Sequence, residues 1–158
     1  MNEDELRELY QQVILDHSRK PRNHGEITDG AVHVHGDNPS CGDEIDLYVK
    51  FAADGRIEDI KFSGSGCAIS QASASMMTLK VKGKPHVHAE DLSRDFRTVV
   101  TGEGAIKNED ALGELQLLEG VQHFPQRVKC AMLGWRALEQ AIQMRAAAGS
   151  EGMTSSEE

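Results

Sequence analysis

The chain is poor in aromatic residues, with one Trp, two Tyr and four Phe in 158 residues, which leaves its core to aliphatic and small side chains. Cysteine is scarce as well. Three cysteines, an odd number, do not make a disulfide framework and read as reduced thiols in a cytosol. Basic residues are outnumbered, 17 against 26 acidic, for a net charge of -9. With no basic stripe, nucleic acid and anionic membrane are excluded as main partners. No apolar run approaches a membrane span and no signal peptide is visible, so the expected location is cytoplasmic. The length suits one domain with a proper core and no need of disulfide staples.

The stretch around which the rest is organised is Asn38-Pro39-Ser40-Cys41-Gly42-Asp43. Pro39 fixes its own φ and removes an amide donor, and Gly42 permits a backbone that a Cβ would penalise. A thiol and a carboxylate two residues apart are thereby aimed at one point. Cys67 follows Ser63-Gly64-Ser65-Gly66 at a strand-to-helix junction, where a helix N-terminus stabilises a thiolate. The same glycines lack the Lys-Ser/Thr ending of a phosphate-binding P-loop. Cys130 falls in the second turn of a helix that starts at Pro125, a favoured first-turn residue, and lies beside Arg127 and Lys129. Cys41, Asp43, Cys67 and Cys130 make a four-ligand set suited to Zn2+ or to an iron–sulfur cluster.

Around these motifs the periodicity is mixed. Leu6, Leu9, Tyr10, Val13, Ile14 and His17 recur at helical spacing, with His17 read as a satisfied core imidazole rather than a ligand. Pro21 ends that helix, and the basic turn 19–25 reads as a solvated loop. Three alternating segments follow, Ala31–His35, Ile45–Phe51 and Ile57–Phe62, and their short turns favour an antiparallel meander. His33 and His35 share one strand face and could bind a metal, but no third ligand is near in sequence. A helix runs from Ile69 past Met76 and Leu79, with the small run Ala72-Ser73-Ala74-Ser75 allowing close packing. His86-Val87-His88 reads as a loop bearing a weak metal pair, before a helix from Ala89 to Val100. A short helical segment around Leu112, Leu115 and Leu118 precedes the last helix, whose inward face is Val128, Met132, Trp135, Leu138 and Ile142. Residues 1–146 form the expected domain, and 147–158 an acidic, disordered tail.

The Cys41 turn, Gly64-Ser65-Gly66-Cys67-Ala68-Ile69-Ser70-Gln71-Ala72-Ser73-Ala74-Ser75-Met76-Met77 and Arg127-Val128-Lys129-Cys130-Ala131 together resemble the U-type iron–sulfur cluster assembly proteins: IscU, SufU and the N-terminal part of NifU. His17, Pro21, Arg22, Asn23 and Gly25 join the match, which covers the chain to about Ala146. The resemblance implies an α+β fold, a three-stranded antiparallel sheet packed against about five helices, with the cysteines gathered at one end. Two departures point to the SufU-like branch. Lys129 stands where the scaffold type has a His before its third cysteine, and Phe124-Pro125-Gln126-Arg127-Val128-Lys129 is a degenerate chaperone-recognition motif. Gly102 to about Glu119 is an insertion relative to the scaffold type. That branch implies tight binding of one Zn2+ and sulfur relay from a SufS-type cysteine desulfurase to downstream Suf scaffold proteins. Partnership with a heat-shock chaperone loses its basis. A zinc-dependent sulfurtransferase is the activity implied; the alternative is a non-enzymatic scaffold holding a [2Fe-2S] cluster or iron on the same four residues. Cys41, on the glycine-containing turn, is the expected persulfide acceptor, and Arg127 the expected counter-charge behind the ligands.

Overall fold

The computed structural model describes residues 3–151. Helix α1 (Glu3–Arg19) leads into β1 (Val32–Asn38), β2 (Asp43–Phe51) and β3 (Ile57–Ser65). Helices α2 (Ala68–Val81), α3 (His86–Thr101) and α4 (Glu109–Leu112) follow, then a 3-10 segment (Gly113–His123) and the long α5 (Pro125–Glu151). The strands pair antiparallel in the order β1-β2-β3. The antiparallel meander expected from the alternation, and the α+β class implied by the resemblance, are therefore the observed ones.

Alternation decides which face of the sheet is covered. Val34, Ile45, Leu47, Val49, Ile57, Ile60 and Phe62 point to the helices and are buried, while His33, His35, Glu44 and Glu58 between them are exposed. Helix α5 packs on β1 and β2, and α2 is wedged between α1 and α5. The small run on α2 makes this wedge possible. Ala72, Ser73, Ala74 and Ser75 are all buried, and a Cβ placed on Gly134 of α5 would come within 3.2 Å of Ala74 Cβ. Ser73 Oγ donates to Ala131 O at 2.6 Å and accepts from Trp135 Nε1 at 3.1 Å, so the one Trp is buried without an orphaned N–H. Trp135 also stacks on Phe96 of α3 at 5.0 Å.

Three boundaries differ from the sequence reading. His86-Val87-His88 is not a loop but the first turn of α3. Pro85, with φ -60, leads into the helix, and its carbonyl accepts from the amides of His88 and Ala89. The segment around Leu112, Leu115 and Leu118 is mostly 3-10 rather than α-helix, with those three leucines and Val121 buried. Its entry is held by Asp95 of α3, whose buried carboxylate accepts from the amides of Lys107 and Asn108 at 3.1 and 3.0 Å. Helix α5 passes the expected domain end at Ala146 and reaches Glu151; the rest of the expected tail, 152–158, lies outside the described residues.

Candidate metal centre

Asn38 and Asp43 close the hairpin between β1 and β2 as a cross-strand pair, with Pro39, Ser40, Cys41 and Gly42 between them. Asn38 organises this turn. Its carbonyl accepts from the amides of Cys41 and Gly42 at 3.2 and 2.9 Å, and its side-chain oxygen accepts from Ser40 N at 3.3 Å. Its Nδ2 also donates to Cys41 Sγ at 3.1 Å. Gly42 sits at φ +73, in the left-handed region that glycine enters without strain. Cys41 thus stands exposed at the tip of a turn, held at its base by a single asparagine.

The other donors rise from more rigid elements. Asp43 is the first residue of β2, inward-facing and 1% exposed. Cys67 caps the N-terminus of α2 and is half-buried; Cys130, on α5, is buried and donates back to Gln126 O at 3.5 Å. The sulfurs of Cys41 and Cys130 are 3.1 Å apart, and Cys41 Sγ lies 3.0 Å from Asp43 Oδ2. Donor atoms of Cys41, Asp43 and Cys130 all fall within 4.8 Å of one another. Cys67 joins them less closely: its backbone amide donates to Asp43 Oδ1 at 2.9 Å, while its Sγ is 3.7 Å from Asp43 Oδ2. Asp43 therefore sits against the N-terminus of α2, where the helix dipole favours a negative charge.

Gly64 and Gly66 make room for this carboxylate. A Cβ on Gly66 would collide with Asp43 Oδ1 and come within 2.7 Å of Ser70 Oγ, and one on Gly64 would strike the Glu44 carbonyl. Both have positive φ, +149 and +159, so the close approach and the backbone conformation demand glycine together.

The electrostatics suit a cation. Burial alone would raise the Asp43 carboxyl, but hydrogen bonds from Cys41, Cys130 and Cys67 outweigh it and hold the group below its ordinary value. Asp43 is thus a buried anion, and among the described residues no Lys, Arg or His forms an ion pair with it. Cys130 is pushed far up, first by burial and then by hydrogen bonding with Cys41 and Asp43. An ion that replaced the thiol protons would resolve both conditions at once, satisfying the carboxylate and keeping the sulfurs anionic. The donor set fits Zn2+, and its thiolates equally fit iron.

Among the described residues Arg127 makes no hydrogen bond or ion pair with these four groups. It is exposed three residues before Cys130, and with Tyr10, Ile69 and Phe124 it lines a cavity of about 620 Å³. His17 is the buried, satisfied imidazole expected: its Nδ1 is 2.7 Å from Ser75 Oγ, which also accepts from Arg22 N at 2.8 Å. His86 meets Glu90 at 3.3 Å in the first turn of α3, away from the cysteines. The role of Asn38 was missed in the sequence, although an Asn two residues before a Ser in a Pro-containing turn is itself a turn-capping signal.

Residues 9–148 match the NifU-like N terminal domain family. Over 141 residues the chain is 48% identical to the iron–sulfur cluster assembly scaffold protein IscU of Streptococcus pyogenes serotype M1, covering 89% of this chain and 87% of that one. It is 47% identical over 134 residues to the zinc-dependent sulfurtransferase SufU of Bacillus subtilis (strain 168), covering 85% and 89%. Among solved structures, a protein proposed as the SUF-system assembly scaffold of Fervidobacterium islandicum AW-1 superposes with a TM-score of 0.77 at 37% identity, over 83% of this chain and 94% of that one. Motifs, sheet order and these likenesses agree, and the chain belongs to the U-type iron–sulfur cluster assembly family, alongside IscU, SufU and the N-terminal domain of NifU.

Proposed function

We propose that this chain is a zinc-dependent sulfur relay of the SufU type, which accepts a sulfane sulfur at Cys41 from a SufS-type cysteine desulfurase and passes it to downstream Suf scaffold proteins. The observation that carries this reading is the unequal exposure of the three cysteines. Cys41 is exposed on a glycine-containing turn, Cys67 is half-buried and Cys130 is buried. A partner's persulfide can reach Cys41 without moving a helix. The zinc ligands in this reading are Cys41, Asp43, Cys67 and Cys130; the ion supplies a redox-inert charge that keeps the thiols deprotonated.

The transfer itself balances without an external oxidant. The Cys41 thiolate attacks the outer sulfur of the desulfurase persulfide. A new S–S bond forms on Cys41, the donor's S–S bond breaks, and the electron pair leaves with the donor's cysteine thiolate. Asn38 Nδ2, already 3.1 Å from Cys41 Sγ, is placed to hold the sulfur once it is charged. Arg127, exposed three residues before Cys130, is the counter-charge in this reading.

Similarity does not separate relay from scaffold, since the two relatives are almost equally identical to this chain. Lys129 before the third cysteine and the 102–119 segment are what favour the relay. The deciding experiment exposes zinc-loaded protein to desulfurase and cysteine and maps persulfide by mass spectrometry. Persulfide on Cys41, in colourless protein holding zinc, is the expected result. A brown, iron-containing protein with a stable cluster and no persulfide on Cys41 overturns the relay in favour of the [2Fe-2S] scaffold.

A further inference from the structure

The two outer strands of the sheet are treated differently by the rest of the chain. Along β3 the outer edge is covered: Gly25 N donates to Phe62 O at 2.8 Å, Phe62 N to Asn23 O at 3.0 Å, and Ile57 N to Lys84 O at 2.8 Å. Along β1 nothing takes that place. Among the described residues its backbone pairs with β2 and, at Asn38, with its own turn. Alternate residues of such an edge strand direct N–H and C=O outward, a template for one more strand.

The open edge borders a groove of about 350 Å³. One wall is β1 and its turn, residues 36–40; the other is the α5 face that carries Lys129, Leu133, Arg136 and Gln140. Those four recur at three- and four-residue intervals and so stand in one row. Gly36 keeps the groove open. Its cross-strand partner Ile45 is buried, so position 36 faces α5 as well, with no side chain to fill the space; a Cβ there would meet Leu133 Cδ1 at 3.5 Å. Asp37 is the one acid in the lining. The two-residue period puts its side chain in the row of His33 and His35 on the outer face, where both imidazoles share the Asp46 carboxylate at 2.8 and 3.1 Å. Lys129 and Arg136 are exposed, and neither joins an ion pair among the described residues. They make this wall positive in a chain of net charge -9, which selects an acidic occupant.

We propose that the groove binds an extended acidic segment of a partner protein, which joins the sheet as a fourth strand beside β1. Lys129 and Arg136 are two helical turns apart, about 10 Å. Acidic side chains at positions i and i+4 of a strand lie on one face about 13 Å apart, and the flexible Lys and Arg stems take up the difference. The residue between them, i+2, falls over Leu133 and Gly36 and is best aliphatic. The fitting pattern is therefore acidic-x-aliphatic-x-acidic. One end of the segment lies beside Cys41, because the groove closes on Pro39 and Ser40. Binding does not rest on the relay reading; only what a partner held there does with Cys41 rests on it.

Fluorescence anisotropy of a labelled peptide with the core Glu-Thr-Leu-Thr-Glu, titrated with zinc-loaded full chain, tests the groove. Binding should saturate below about millimolar protein, and Arg136→Glu and Lys129→Glu should each weaken it about tenfold or more. Both side chains are exposed, so both variants should keep the parent's circular dichroism. A peptide with Lys at both Glu positions should not bind. N-methylation of one alternate set of peptide amides should abolish binding and of the other set spare it, since only every second amide faces β1. No saturation up to about millimolar, or an unchanged affinity in Arg136→Glu, overturns the proposal. Equal binding by the two methylated peptides overturns the added strand. A dimer in sedimentation that Arg136→Glu makes monomeric would give the groove to a second copy of the chain instead. Failure to find persulfide on Cys41 would leave these titrations untouched.

Discussion

Cys41 and Cys130 have sulfurs 3.1 Å apart, yet they belong to opposite mechanical regimes. Cys130 lies on the longest helix, buried among residues that also pack Trp135 and the sheet. Cys41 sits at the tip of a four-residue hairpin turn whose next residue, Gly42, has open space around it. Removing Cys130 from its place means moving a helix; removing Cys41 means turning a few dihedrals. In the proposed metal centre, one donor set would therefore combine retention and release, with burial dividing the labour among chemically identical cysteines.

Alanine substitution is the sharpest way to break this comparison. Cys41→Ala should abolish sulfur acceptance and keep much of the zinc, whereas Cys67→Ala and Cys130→Ala should lose zinc itself. Metal analysis of the three purified variants beside a desulfurase assay reads both effects, and equal zinc loss in all three would remove the distinction. Gly66→Ala comes next. It forces a Cβ into the Asp43 carboxylate at a backbone conformation unfavourable for alanine, and should cost about 1–3 kcal/mol together with much of the zinc affinity. Denaturant unfolding with a parallel zinc determination checks it; parent-like stability would mean that the carboxylate is not confined there.

Chelation should have a smaller, local effect. Apart from Cys130, the core is closed by apolar side chains outside the proposed centre, so zinc removal should loosen the turn and the start of α2 while leaving helical circular dichroism nearly intact. Collapse of that signal would show folding that depends on the ion. The smallest effect concerns His17, held below its ordinary value by burial and then by Arg22. The unfolded chain takes up the proton near pH 6.5, while the folded chain resists it. This contribution is complete above about 6.5 and shrinks as the pH falls toward the lower folded value. Melting temperatures between pH 7.5 and 5.5 (roughly the histidine range) should fall less steeply in His17→Gln than in the parent.

Much of this was legible in the sequence because it rests on local rules. Period-two alternation gave the three strands, and Pro39 with Gly42 gave the turn. Pro125 gave the start of α5, and the small run 72–75 gave the close α2–α5 contact. What stayed hidden depends on partners distant in the chain. Asp95 holds the segment ahead of α4 through backbone amides, which leave no mark in composition. The first turn of α3 takes in His86 and His88 because Pro85 is tolerated at a helix start, where a proline is equally common in a loop. Asp46 meets His33 and His35 only through cross-strand register. Arg127, expected as the counter-charge behind the ligands, lines the cavity with Tyr10 and Phe124, a neighbourhood set by α1 and the 3-10 segment rather than by its own helix.

The donors of the centre come from the β1–β2 turn, the β3–α2 junction and α5, and the contact between Cys41 and Cys130 joins positions 89 residues apart. Closing a loop of that length in a free chain costs about 4 kcal/mol beyond a constant. An unfolded chain would thus offer an ion a pair of ligands from one turn, never the whole set. Here the fold has closed that loop through its apolar core before any ion arrives. In the proposed metal centre the cost of bringing the ligands together is thus met by the apolar core rather than by the ion, so the scaffold should stay folded when the ion is removed.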